Sequence, residues 1–215
     1  MAEVFLVSVS GACSRSGKTA CAVSLLEALP RQSAVAVKFT TTEDVFERCP
    51  RGKPCVVCDI DVPFRLVEDR AVLQEPGTDT ERLGTAGASR VIWVITRHSA
   101  ASAAWQLVEA RLRGAETVVM EGSTVVALAR PQRNVFVVHP FLSPAHWKPT
   151  SGSLLGEADV VVVNRPRGES REPDPAVLEA VARHRGRRSY IVADVTRPPA
   201  LWAPGLFAGR DSASA

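Results

Sequence analysis

The stretch VFLVSVSGACSRSGKTACAVSLLEAL, residues 4–29, joins two kinds of segment through a loop bounded by glycines. Residues 4–10 are an apolar run of a strand's length with serines at 8 and 10, and Gly11 closes it. From Gly17 onward the apolar side chains recur at helical spacing, so the pattern predicts a strand over 4–10 and a helix over 17–29. Between Gly11 and Gly17 stand five residues: Ala12, Cys13, Ser14, Arg15 and Ser16. The common phosphate loop, G-x-x-x-x-G-K-[ST], has four there. Gly17-Lys18-Thr19 nevertheless falls where that motif puts its conserved end, after a first strand and at the start of a helix.

That setting dictates a chemistry. Backbone N–H groups of Ala12–Ala20 and the positive end of the helix face an anion. Lys18 then reaches β- and γ-phosphate oxygens, and the Thr19 hydroxyl joins Mg²⁺. A bare G-K-T tripeptide is weak evidence; the strand before it and the helix after it make the reading specific.

The remaining chain repeats the alternation. Residues 34–39, 91–96, 117–122, 134–139, 159–164 and 189–195 read as further strands, several of them almost continuously apolar and β-branched. Such runs are expected where helices cover both faces of a parallel sheet. Residues 79–88, 100–113 and 174–184 suit helices, and Gly87 and Gly114 stand at helix ends. The expected architecture is a three-layer α/β fold with a mostly parallel sheet of about seven strands, spanning residues 1–196. Residues 41–78, rich in Pro, Asp and Cys, form a long insertion, and 197–215 are expected to be a flexible tail.

With 215 residues, 46% of them hydrophobic, the chain is long enough to bury a substantial core. A net charge of +3 with no basic block argues against a nucleic-acid or membrane-surface partner. No charged-then-apolar leader precedes the first strand, no apolar run reaches membrane-span length, and cysteines occur without a disulfide-like framework. A cytoplasmic, reduced setting is expected. Only four lysines (Lys18, Lys38, Lys53, Lys148) occur among 26 basic residues, so a lysine at a motif position is more informative than usual.

The five-residue gap, written G-x-x-x-x-x-G-K-[ST], resembles the loop of dethiobiotin synthetase and of the cobyric-acid-synthase group. The chain resembles most the molybdopterin-guanine dinucleotide biosynthesis protein B (MobB) family of that P-loop class. GTDTERLGTAGA (77–88) is similar to a MobB stretch with an Asp-Ser/Thr pair, a following Arg and an Ala-Gly-Ala turn; Asp79, Thr80, Arg82 and Ala86-Gly87-Ala88 match. Lys38, ending the second strand, stands where these families carry a lysine near phosphate or substrate. Glu121-Gly122 looks like their Glu-Gly pair, whose carboxylate helps to hold Mg²⁺. Asn164 matches an asparagine that contacts the nucleotide base, but Arg165-Pro166-Arg167 follows it rather than the Lys-x-Asp of guanine-specific proteins. The base therefore stays open between ATP and GTP.

The resemblance implies a slow NTPase that assists cofactor or metal-centre assembly beside a cofactor-biosynthesis protein, with a homodimer common among such proteins. Lys18, Lys38 and Asp79 would be its catalytic residues. A plainer reading makes Asp79 the N-cap of its helix. A second functional reading is a synthetase of the dethiobiotin kind, with His139, Trp147 and Lys148 converging on a small acid. A third is a metal carrier: Cys49, Cys55 and Cys58 include a C-x₂-C pair of metal-ligand spacing, fit for Zn²⁺ or part of an iron–sulfur cluster. Asp59 and Asp61 alternate along a short extended run, which places both carboxylates on one face as candidate Mg²⁺ ligands.

Overall fold

The structure, a computed structural model, describes residues 4–42, 62–185 and 190–208. Its elements follow in the order β1 (Phe5–Gly11), α1 (Lys18–Glu27), β2 (Ala34–Thr41), β3 (Phe64–Val67), α2 (Arg70–Leu73), α3 (Asp79–Thr85), β4 (Arg90–Thr96) and α4 (Ala101–Arg111). There follow β5 (Thr117–Glu121), α5 (Thr124–Ala129), β6 (Arg133–Val138), α6 (Ser151–Glu157), β7 (Val160–Asn164), α7 (Pro175–Arg185) and β8 (Ile191–Ala193). The strands form one sheet in the order β3-β4-β2-β5-β1-β6-β7-β8, parallel throughout except for β3.

The period of two along each strand sorts side chains to opposite faces. Val7, Val9, Val119, Val135 and Val137 pack with Cys21, Leu25 and Leu83 beneath α1 and α3. Val118, Met120, Val37 and Ile92 meet Trp105 and Val108 of α4 on the other face. Phe136, Val138 and Val161 continue that face under Leu155, Val177 and Val181 of α6 and α7. Helices on both faces explain why these strands read as apolar runs. The two serines of β1 are the exception, and both are satisfied: Ser8 and Ser10 donate to Asn134 Oδ1 on β6 at 2.8 and 3.2 Å.

Eight strands replace the expected seven. The extra one, β3, is a four-residue edge strand paired antiparallel with β4, inside the stretch expected to be a connection only. The end of the chain also departs from expectation over residues 197–208. Trp202 is 1% exposed and joins Ala203 and Leu206 in the core beneath α1. Arg197 carbonyl oxygen accepts from Ser24 Oγ at 2.7 Å and from Trp202 Nε1 at 2.8 Å, which pins the segment to α1. Among the described residues no helix is long and apolar enough to cross a membrane.

Candidate functional site

The loop between β1 and α1 lies at the C-terminal edge of the sheet, where open α/β folds bind ligands. Its first glycine is a close-approach position: a Cβ at Gly11 would lie 2.6 Å from Ser16 Oγ and 2.7 Å from Val137 O. Gly17, the residue before α1, has φ 102°. There a Cβ would come within 2.3 Å of Asn164 Nδ2, so both backbone conformation and space call for glycine. Arg15 at the exposed apex takes a φ of 59°, the left-handed region. These turns accommodate the fifth residue of the gap without disturbing either strand or helix.

Most of the loop's carbonyls are held by the surrounding scaffold. Gly11 O accepts from Ser123 Oγ at 3.3 Å. Ala12 O accepts from Lys148 N at 2.8 Å and from Ser151 Oγ at 3.1 Å. Lys18 Nζ donates to Cys13 O at 2.6 Å, and Asn164 Nδ2 donates to Ser16 O at 3.2 Å. By contrast, among the described residues no hydrogen bond uses the N–H groups of Ser14, Arg15, Ser16 or Gly17. A loop whose oxygens are turned outward and bonded, with its donors left over, is an anion nest.

Lys18 arches over this nest. Burial, then the neighbouring Lys148 ammonium, push its pKa below that of an ordinary lysine, and Glu121 only partly offsets them. Cys13 and Cys21 are buried thiols. Burial raises both pKa values, so neither is a reactive thiolate.

A second cluster lies on the β5 side of the loop. Thr19 Oγ1 donates to Glu121 Oε2 at 2.9 Å. Lys38 Nζ bonds the two Glu121 oxygens at 3.1 and 3.2 Å and Asp79 Oδ2 at 2.7 Å. Burial works to lower the Lys38 pKa, but the Glu121 and Asp79 carboxylates outweigh it and raise the value. For Asp79, burial works upward and the Lys38 charge prevails, holding its carboxyl below the usual range. Asp79 is not the helix cap; Thr78 is, accepting from Glu81 N at 3.2 Å. Thr19 and Glu121 present hard oxygen donors side by side, a pair that fits Mg²⁺.

The structure thus brings together Gly11 through Ala20, Lys38, Asp79, Glu121 and Asn164. The Asn164 amide is used on the scaffold: its nitrogen on Ser16, its oxygen accepting from Val195 N at 3.3 Å. His139 Nδ1 and Trp147 Nε1, named for a small-acid site, bond within their own turn. His139 Nδ1 accepts from Phe141 N at 3.1 Å, and Trp147 Nε1 donates to Leu142 O at 3.3 Å. Cys49, Cys55, Cys58, Asp59 and Asp61 lie outside the described residues. Among the described residues no group of three or more His, Cys, Asp or Glu side chains assembles for a metal. Ser123 and Ser151, which brace the loop, carried no sequence signal beyond their position after strands.

Strand order and loop together define the fold class: a three-layer, mostly parallel α/β sheet with a phosphate-type loop after a central strand, the arrangement of P-loop NTPases. No family model matches the chain, and no curated protein matches it. Solved structures do. The chain is similar to HypB from Helicobacter pylori, solved in complex with nickel, at 14% identity over 92% of this chain and 82% of that one, with a TM-score of 0.47. The fold class rests on strand order and loop, not on this likeness.

Proposed function

We propose that this chain binds the phosphates of Mg-ATP or Mg-GTP in the loop Gly11–Ala20 and hydrolyses the nucleotide slowly. The observation that carries this reading is the nest itself: four unused backbone donors facing a lysine whose charge has been stripped of water. A buried ammonium with a depressed pKa gains most from an incoming anion. Thr19 and Glu121 would hold Mg²⁺, which supplies charge neutralisation on the phosphate oxygens.

Asp79 is the acid beside that flank with an exposed face, its side chain 45% accessible. Its lowered pKa makes it a weak general base, suited to orienting a water rather than deprotonating it. Slow turnover follows. Lys38 is already neutralised by two carboxylates, which favours hydrolysis over a synthetase in which Lys38 would receive a substrate acid. The auxiliary role in cofactor or metal-centre assembly rests on the MobB resemblance of residues 77–88 and the Glu-Gly pair.

Calorimetric titration with Mg-ATP and Mg-GTP, wild type against Lys18→Ala, tests the reading. Removing a charge-assisted contact of this kind costs at least about tenfold in affinity. Equal affinity in both proteins would reject the loop assignment, and the preferred base would settle ATP against GTP.

A further inference from the structure

Lysine is scarce in this chain, yet the described lysines Lys18, Lys38 and Lys148 all gather around one loop. The first two have assigned partners. Lys148 does not: among the described residues no carboxylate pairs with it, and its side chain is exposed.

Its backbone, however, is fixed. Lys148 N donates to Ala12 O at 2.8 Å, and Lys148 O accepts from Ser151 N at 2.9 Å. Ser151 Oγ binds the same Ala12 oxygen, and Trp147 packs against the core below α6. A turn bolted this way to the first residue of the gap carries its side chain beside the loop. Lys148 and Lys18 thus both stand against the Ala12–Cys13 stretch, Lys148 through its backbone bond to Ala12 O and Lys18 through its Nζ on Cys13 O. Two cations set on one loop repel each other, and an anion bound between them removes that penalty.

We propose that Lys148 is a second phosphate-facing cation of this site, projecting from the β6–α6 connection to engage the terminal phosphate of a bound nucleoside triphosphate. This rests on the nucleotide reading above. β1 is flanked by β5 and β6, so the phosphates would lie between Glu121 and Thr19 on one side and Lys148 on the other. Asn164 marks the opposite end of the loop, at Ser16 and Gly17, and Lys148 marks the Ala12 end. A phosphate chain running from the first end to the second brings its terminal group to Lys148. A compact ammonium suits a position already crowded by Lys18, whereas a planar guanidinium does not.

Two measurements test this, one without nucleotide. With so few lysines, their side-chain NMR signals can be assigned by substitution and followed as inorganic tripolyphosphate is added. The Lys148 signal should shift together with that of Lys18, and an unmoved Lys148 would overturn the placement. The second is calorimetry with Mg-nucleoside triphosphate and diphosphate. Lys148→Ala should lose triphosphate affinity by about tenfold or more, with the diphosphate nearly unaffected and Lys148→Arg intermediate. Unchanged triphosphate affinity in Lys148→Ala, with binding still lost in Lys18→Ala, would overturn this proposal and leave the nucleotide site standing. A wild-type protein that binds neither nucleotide would overturn both.

Discussion

Lys18 opens α1 and Lys38 lies in β2, and their pKa values move in opposite directions for a local reason. Lys38 meets two carboxylates; Lys18 meets another ammonium and more distant acid. Lys38 therefore contributes stability that is complete below the unfolded lysine value and is lost only as pH rises through its higher folded value. Asp79 contributes stability that is present above the unfolded carboxylate value and is lost as pH falls through its lower folded one. Lys18 has the reverse sign: its buried charge opposes folding at neutral pH, and the opposition fades as pH rises through its lowered value. Nucleotide affinity should accordingly weaken on the alkaline side earlier than an ordinary lysine would require, while Lys38 is still charged. Affinity measured by calorimetry across pH 7 to 10 checks this, and a flat profile over that range would contradict the role of Lys18. Glu121 is the keystone of the neighbouring cluster, with a side chain 7% accessible against 16% for Lys38. Glu121→Gln leaves Lys38 with Asp79 alone, and the expected loss is on the order of 2 kcal/mol in denaturant unfolding. Adding Lys38→Met to that variant should recover part of the loss, because the stranded charge goes with it.

The elements show where short sequence signals end. β1, β2, β4, β5, β6 and β7 were legible because burial on both faces demands apolar runs, and α1, α3, α4 and α7 because of their periodicity. β3 was not: FRLV is four residues long, sits among Pro and Asp, and exists as a strand only because β4 offers an open edge. α5 and α6, of six and seven residues, are too short to establish a helical period. The last segment misled for another reason. Pro198-Pro199 and Pro204 read as a loose tail, but proline is compatible with burial once Trp202 has a groove to fill, and nothing local in the sequence reveals that groove. The packing makes a sharp prediction. Trp202→Ala should lower unfolding stability by about 3 kcal/mol or more, as loss of a fully buried aromatic does. Leu201→Ala, at a residue 64% exposed, should change it little. Denaturation midpoints of the two variants, compared with wild type, give the answer; equal midpoints would mean that the segment does not hold to α1.

At the scale of the whole molecule the loop is gripped from both halves of the sheet. Glu121, reached by Thr19, ends β5; Ser151 and Lys148 follow β6; Asn164 ends β7 and links the loop to the turn after β8. Glu121 and Asn164 were readable one by one, since each is the polar residue that closes an apolar run, and Lys18 and Thr19 were readable from the loop motif; Ser151 was not. Their joint action on the loop was not, because strand order is not written in the spacing of any motif. Asn164 shows the consequence. Read from sequence it contacts a base; in the fold its amide ties Ser16 to Val195, and its nitrogen lies where a side chain at Gly17 would have to go. Both roles predict that Asn164→Ala weakens nucleotide binding, so that result alone decides nothing. Inorganic tripolyphosphate separates them, because it has phosphates and no base. If Asn164 locks the loop, the substitution weakens tripolyphosphate and nucleotide by the same factor, about fivefold or more for the loss of two part-buried hydrogen bonds. If it only reads the base, tripolyphosphate binding stays at the wild-type level while nucleotide binding falls. The geometry points to the first outcome: a nest works only while its oxygens are held away from the anion, and Asn164 holds one of them.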